Sequence, residues 1–467
     1  MISMTLADVA AAVDGRLVGA DPTVRVTGPV EYDSRRVAAG GLFAAFAGEK
    51  VDGHDFAAGA VEAGAVAVLA TRDDLGLPAV VVADPLVALA RLARAVVDRL
   101  PDLTVVGLTG SSGKTTTKDY VAQLLAELGP TVAPAGSFNN ELGHPYTVLK
   151  ADEGTRFLVL ELGARGLGHV RHLCEVAPPR VGVVLNVGVA HVGEFGSVDA
   201  IAVAKGELVE ALPADGVAVL NADDLRVRAM AGRTRARVVL TGEADDATVR
   251  ATQVSLDGRG RASYTMRTPH FTAQVTLAVS GAHQVANTLA AAAVALEVGF
   301  PPDKLAAALG RLRPMSERRM DVFDRADGVT VIDDSYNANP ASMAAALRAL
   351  AALGGSDGGG RRRTLAVLGY MAELGDAERD GHAEVGRLAA QLGVDRLVVV
   401  GEAAAPILDG ARAQATWEGE SVLVTDQAAA VRAVDADLRP GDVVLVKGSR
   451  YRTWDVADHL RREVPPA

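Results

Sequence analysis

Short runs of β-branched and apolar residues recur along the chain, separated by alanine-rich stretches with helical spacing. AVAVLA (from Ala65), AVVVA (Ala79), TVVGLT (Thr104), RFLVLEL (Arg156), VGVVLNV (Val181) and GVAVLN (Gly216) are apolar at nearly every position rather than at every second one. VTVID (Val329), TLAVLG (Thr364), RLVVVG (Arg396) and DVVLVKG (Asp442) continue the series. Strands buried on both faces read this way, and their alternation with helices predicts parallel sheets covered by helices. One section differs. From Val249 to Thr276 polar and apolar residues alternate around Asp257-Gly258, which predicts an antiparallel hairpin inserted in the α/β pattern. PLVALARLARAVV (from Pro85) predicts an amphipathic helix with proline in its first turn. It is too short, and too interrupted by arginine, to cross a bilayer.

Breaks at Pro101-Asp102 and Arg313-Pro314 divide the chain into three expected units, 1–102, 103–314 and 315–467. The chain has 467 residues, 49% of them hydrophobic, enough for several well-buried cores. A formal net charge of −11 argues against a nucleic-acid partner. The single cysteine, Cys174, excludes an internal disulfide framework and CxxC metal chemistry. The N-terminal stretch carries Asp8 and Asp14 and no basic region, so it does not read as a signal peptide. A cytoplasmic protein without membrane contact is expected.

The chemistry starts where TVVGLT runs into GSSGKTTTK. In the segment from Thr109 through Gly110, Ser111, Ser112, Gly113, Lys114 and Thr115 to Thr116, the glycines let successive N–H groups point at phosphates. Lys114 then reaches the phosphate oxygens and the Thr115 hydroxyl can bind Mg²⁺. The match is the short form T-G-x-x-G-K-T. An ordinary P-loop ATPase would next show an apolar strand ending in Asp. The nearest, VTVIDD, lies more than 200 residues downstream by sequence number. The guanine-reading Asn-Lys-x-Asp of a GTPase is absent. Glu161 ends RFLVLEL and His191 follows VGVVLNV. Sequential strands often neighbour one another, which would bring both residues to the sheet edge beside the loop as ligands for a phosphate-bound divalent cation.

With NNELGHP (Asn139), ELGARGLGH (Glu161), NVGVAHVGEFGS (Asn186), AKGEL (Ala204), GAHQVANTLAA (Gly281), MSERRMDV (Met315), DDSYNANPASM (Asp333) and KGSR (Lys447), the chain resembles the Mur ligases, the ATP-dependent amide-forming family of peptidoglycan synthesis. The opening YDSRRVAAGGLFAAFAGEKVDGHDF and DDSYNANP resemble the member that adds D-alanyl-D-alanine to UDP-N-acetylmuramoyl-tripeptide. Tyr370 departs from the family pattern, which has an acidic residue there.

The resemblance implies an N-terminal uridine-nucleotide-binding unit, a central P-loop domain and a C-terminal Rossmann-like domain that contacts ATP and the incoming dipeptide. It implies ATP, two Mg²⁺ sites and an acyl-phosphate intermediate, in a monomer. Thr115 and Glu161 would hold the first metal. His191 and Lys205, the latter as a CO₂-derived carbamate, would hold the second. Lys114, Glu161, His191 and Lys205 are thus the implied catalytic set. Asn287 would contact adenine, Arg319 the phosphates, Asp334 the ribose and Asn337 the base region. The uridine diphosphate would lie near Ser34, Arg35 and the turn holding Lys50, and the muramoyl-peptide along Asn139 and Asn140. The dipeptide is expected near Lys447 to Arg450. Two alternatives remain at this stage: a ligase of the same scaffold adding one amino acid, diaminopimelate or lysine, and a P-loop ATPase using VTVIDD as its metal strand.

Overall fold

The computed structural model describes residues 1–48, 51–189, 192–355, 360–449 and 452–462. The chain is an α/β protein with three principal sheets that follow one another along the sequence. The first has five strands, in the order Arg16–Val18, Ala79–Val81, Ala67–Ala70, Leu42–Ala44 and Val30–Glu31. All are parallel except the first, which pairs antiparallel with Ala79–Val81. The amphipathic stretch forms the helix Pro85–Asp98, with Asp84 capping its N-terminus and proline at its start.

The second sheet has nine strands and carries the phosphate loop. At its heart are β1 (Thr104–Thr109), β2 (Phe157–Glu161) and β3 (Val181–Val184). β1 lies between the other two and pairs in parallel with both. β2 and β3, consecutive in sequence, are therefore not neighbours; they flank the loop from opposite sides. The expected hairpin is three antiparallel strands, Val249–Leu256, Arg261–Arg267 and Thr272–Ser280. They extend one edge of this sheet.

The uninterrupted apolar runs follow from burial on both faces. Along β1 and β2, Val105, Leu158 and Leu160 enter one core, which is continuous with that of the N-terminal unit. Val106, Leu108, Phe157 and Val159 enter the other. Three helices carry the functional side chains of this unit: α1 (Lys114–Ala126) after β1, α2 (Val198–Glu210) and α3 (Gln284–Glu297).

The third sheet has six strands. Its relevant elements are β4 (Thr330–Asp333), α4 (Pro340–Gly354) and β5 (Val443–Lys447), with β4 and β5 paired in parallel. Among the described residues, no helix is long and apolar enough to cross a membrane.

Candidate active site

β1 ends in a turn that only glycine can make at its last position. Gly113 holds φ at +79°, and a Cβ there would lie 2.7 Å from Asn287 Oδ1 on α3. Asn186, just beyond β3, clasps the same turn. Its carbonyl accepts from Ser111 N (3.0 Å), its Oδ1 accepts from Ser112 N (2.9 Å), and its Nδ2 donates to Ser112 O (3.1 Å). Lys114 folds back over the loop and donates to Gly110 O (2.9 Å). Burial pushes its ammonium below the usual lysine range. Thr109 is placed differently from expectation. It is fully buried and its hydroxyl donates to Leu162 O (2.8 Å), so it ties the sheet rather than facing a ligand.

Beside the loop, Thr115 Oγ1 donates to Glu161 Oε2 (2.9 Å). Ser137 Oγ (2.8 Å) and Asn139 Nδ2 (2.6 Å) donate to the other carboxylate oxygen. Asn139 thus orients Glu161 and also lines the cavity beside it. Lys205, on α2, is only 3% exposed and has no hydrogen bond or ion pair with a described residue. Burial, with Lys114 nearby, pushes it well below the ordinary lysine value. His191 lies outside the described residues. A hydroxyl, a carboxylate and a phosphate-directed lysine at one sheet edge fit Mg²⁺, which binds through one or two carboxylates plus substrate phosphates. No cluster of three or more His, Cys, Asp or Glu occurs among the described residues.

The C-terminal unit closes over this edge. Arg319 Nη2 donates to Thr115 Oγ1 (3.3 Å), and its guanidinium stacks 4.2 Å from the Tyr336 ring centroid. The chain reaches it through a tight connector in which Arg318 and Met320 hold φ at 59° and 52°. The connector is anchored on α1. Asp119 Oδ2 accepts from Ser316 N (2.9 Å) and Met315 N (3.2 Å), while Lys118 pairs with Asp119 and donates to Pro134 O (2.7 Å). Asn339, the N-cap of α4, also reaches Ser111 O (3.5 Å).

Two cavities meet at Ser112, Gly113 and Thr116. The smaller, about 170 Å³, runs between Asn287 and His283 of the central unit and Asp334, Met320 and Lys447 of the C-terminal one. Asp334 is held by Lys447 and by Met320 N (3.1 Å). The larger, about 870 Å³, holds Lys114, Thr115, Glu161, Lys205, Asn139 and Asn140, with Tyr336, Asn337 and Trp454 opposite.

Three family models match in tandem: "Mur ligase family, catalytic domain" over 29–103, "Mur ligase middle domain" over 108–295, and "Mur ligase, glutamate ligase domain" over 318–450. The UDP-N-acetylmuramoyl-tripeptide–D-alanyl-D-alanine ligase of Mycobacterium tuberculosis is 49% identical, with 96% of each chain covered. That of Escherichia coli is 36% identical over the same shares. The chain belongs to the Mur ligase family. Solved Mur ligases superpose over nearly the whole length. MurF from Acinetobacter baumannii gives a TM-score of 0.87 at 30% identity, covering 98% of this chain and 99% of its own. A UDP-N-acetylmuramoylalanyl-D-glutamyl-2,6-diaminopimelate–D-alanyl-D-alanyl ligase from the same organism gives 0.83 at 29%, covering 98% of both. MurF from Thermotoga maritima in complex with ADP gives 0.81 at 29%, covering 94% and 98%.

Not every residue expected of a Mur ligase site is gathered into these cavities. Ser34 and Arg35 lie in a short 3₁₀ turn, where Arg35 is turned to solvent and bonded bidentately to Asp33 (2.8 and 2.7 Å). The N-terminal unit reaches the larger cavity through Tyr32 instead, which packs edge-on against Tyr146 at 5.0 Å. Lys50 and Arg450 lie outside the described residues. Asn337 faces the larger cavity rather than the smaller one, and its carbonyl accepts from Lys447 (2.9 Å). Lys447 is buried in that pairing, so it is not a surface group awaiting a dipeptide. Tyr370 bonds to Glu378 and stacks on His382 at 5.3 Å. The residues missed from sequence, Asn186, Ser137 and Tyr336, all act on a group that had been found. Asn186 carried a signal: it lies two positions past the strand beside the loop.

Proposed function

We propose that this Mur ligase joins D-alanyl-D-alanine to UDP-N-acetylmuramoyl-tripeptide at the expense of ATP, giving UDP-N-acetylmuramoyl-pentapeptide, ADP and phosphate in the cytoplasm. The observation that carries this reading is the 49% identity, across 96% of both chains, to a ligase of that activity. The geometry supports the assignment of roles. ATP lies with its base and ribose in the smaller cavity, beside Asn287 and Asp334, and its phosphates along Ser111 to Thr116. Lys114 and Arg319 approach the phosphates from two sides, the second supplied by the C-terminal unit.

A carboxylate oxygen of the tripeptide attacks the γ-phosphorus, ADP leaves, and the carboxyl becomes an acyl phosphate. The free amine of the dipeptide attacks its carbonyl carbon, inorganic phosphate departs, and the nitrogen gives up a proton. The attacking carboxylate and the departing ADP and phosphate carry negative charge, so positioned cations and exclusion of water supply most of the catalysis. Mg²⁺, held by Thr115 and Glu161 together with the nucleotide, neutralises phosphate charge when bound.

Lys205 belongs to the same chemistry. Burial favours the uncharged, nucleophilic form of its amine, which adds CO₂ to give a carbamate and a proton. A group that as an ammonium would repel metal and Lys114 thus becomes an anion that would offer the second metal a ligand, with His191 as its companion. The structure of the VTVIDD strand speaks against the ATPase alternative: Asp333 is bonded to Ser335 and Asp334 to Lys447, in a different sheet from the loop.

The deciding experiment is phosphate release from ATP with each substrate alone and with both, and mass analysis of the product. Release requiring both, with a pentapeptide formed, is the expected result. Release without either substrate, or only with a single amino acid, would sink the assignment.

A further inference from the structure

Beyond Glu161 the larger cavity is walled by the turn 163–168, and this turn is fixed at both ends. Gly163 N donates to Asn139 O (2.8 Å), and a Cβ at Gly163 would lie 2.9 Å from the same oxygen. At the other end Gly168 N donates to Glu207 Oε1 (2.6 Å) and Arg171 N to Glu207 Oε2 (3.0 Å). Glu207 is itself buried, two residues after Lys205. Between these anchors Arg165 lines the cavity, exposed, with no hydrogen bond or ion pair to any described residue.

The other basic groups of that cavity are accounted for. Lys114 bonds the loop, Arg319 bonds Thr115, His169 pairs with Glu141 at 3.1 Å, and Lys205 is buried. Arg165 is the one exposed, unpaired cation on a rigid backbone among the described lining residues.

We propose that Arg165 receives a substrate carboxylate other than the one that reacts, and thereby selects the peptide that the cavity accepts. The proposal rests on the ligase reading above. A guanidinium offers a planar pair of donors that matches a carboxylate in two parallel bonds. Arg165 lies four positions after Glu161, so their Cα atoms are at most about 14 Å apart. A group one to three residues from the reacting carboxyl falls within that reach. A tripeptide of the alanyl-D-glutamyl-diaminopimelate kind, the acceptor named for the second A. baumannii neighbour, keeps carboxylates that take no part in the reaction. D-alanyl-D-alanine carries one too. The position of Arg165 on the Glu161 wall favours the tripeptide.

The test uses the full chain as wild type, Arg165→Gln and Arg165→Lys, with the KM measured separately for ATP, UDP-tripeptide and dipeptide. Arg165→Gln should raise the KM for UDP-tripeptide about 10- to 100-fold, as expected for loss of a charge-assisted pair. Arg165→Lys should recover part of the loss. The KM for ATP and the melting temperature should stay as in wild type, because Arg165 supports neither the loop nor the fold. If the KM for dipeptide rises instead, D-alanyl-D-alaninamide identifies the source. Loss, in the variant, of the wild-type preference for the acid over the amide places the dipeptide carboxylate on Arg165 and upholds the receptor role. All three KM values within twofold of wild type overturn the proposal. A wild-type chain that makes no pentapeptide fails the ligase reading itself, whatever Arg165 does.

Discussion

The two cavities each hold a buried lysine, and the difference between them separates structure from chemistry. Lys447 and Lys205 are 2% and 3% exposed, and burial lowers the proton affinity of both. Lys447 is paired with Asp334 and bonded to Asn337 O (2.9 Å), so its charge is answered within the fold. Lys205 has no such answer among the described residues. An unpaired buried cation is costly, and burial accordingly favours the uncharged form of this group. The smaller cavity is thus electrically closed within the fold, whereas the larger one keeps a buried lysine without a partner among the described residues.

The largest effect should come from breaking the unanswered lysine. Lys205→Ala should lower kcat by about 10³-fold, of the size seen when a positioned electrostatic group is removed. A short carboxylic acid in the assay should restore part of the rate by standing in for the carbamate. Failure of every such acid would remove the carbamate from the account.

Lys447→Met tests the other side. It strands Asp334 and should destabilise the C-terminal unit by about 3–5 kcal/mol, read from the denaturation midpoint. Lys447→Met combined with Asp334→Leu should recover most of that stability without recovering tight ATP binding. Recovery of both would show that the pair serves the fold alone.

His144 sharpens the comparison, being a third buried base with neither ring nitrogen bonded. It lines neither cavity, and burial pulls it down to about 4. As pH falls from about 6.5, the unfolded chain takes up this proton before the folded one does. The stabilising contribution is therefore complete above that value and is lost toward pH 4, up to about 3 kcal/mol. His144→Leu should flatten the fall in unfolding free energy over that window. An unchanged slope would mean that an unbonded buried base need not be neutral here.

The smallest effect belongs to the boundary between the cavities. Gly113→Ala forces a side chain into a left-handed backbone and against Asn287, at about 1–3 kcal/mol. It should weaken ATP binding by about tenfold or more while leaving UDP-tripeptide binding unchanged, measured by calorimetry. Equal loss of both ligands would show that the two cavities are not separable.

Local patterns carried much of the fold into the sequence. Uninterrupted apolar runs mark strands buried on both faces, and the phosphate loop announces itself by glycine spacing. Glu420–Val424 was missed because it is partly exposed along its whole length and its apolar run, Val422 to Val424, is short. Arg237–Gly242 also went unread, although RVVLTG has the same character as its neighbours. Strand order was beyond reach as well. Nothing local in RFLVLEL or VGVVLNV shows that TVVGLT inserts between them, a matter of long-range pairing. At the site, motif residues near the loop were legible, whereas their partners were not. Which side chain answers Lys447, or that Arg35 is already spent on Asp33, depends on folded geometry. Arg165 lay inside a quoted motif and was still not singled out, because the signal is the absence of a partner.

Asp119 grips Ser316, and so the connector between the central and C-terminal units is clamped up to the edge of the phosphate-loop helix. Rotation between the units is left to the few residues after it, where Arg318 and Met320 take left-handed backbone angles. A pivot so short acts as the fulcrum of a lever. A turn of a few degrees there carries the distant parts of the C-terminal unit through several ångströms, while Arg319, at the fulcrum, stays beside Thr115. On the proposed placement of ATP, the far wall of the larger cavity would swing through the greater distance while Arg319 kept its place beside the phosphates.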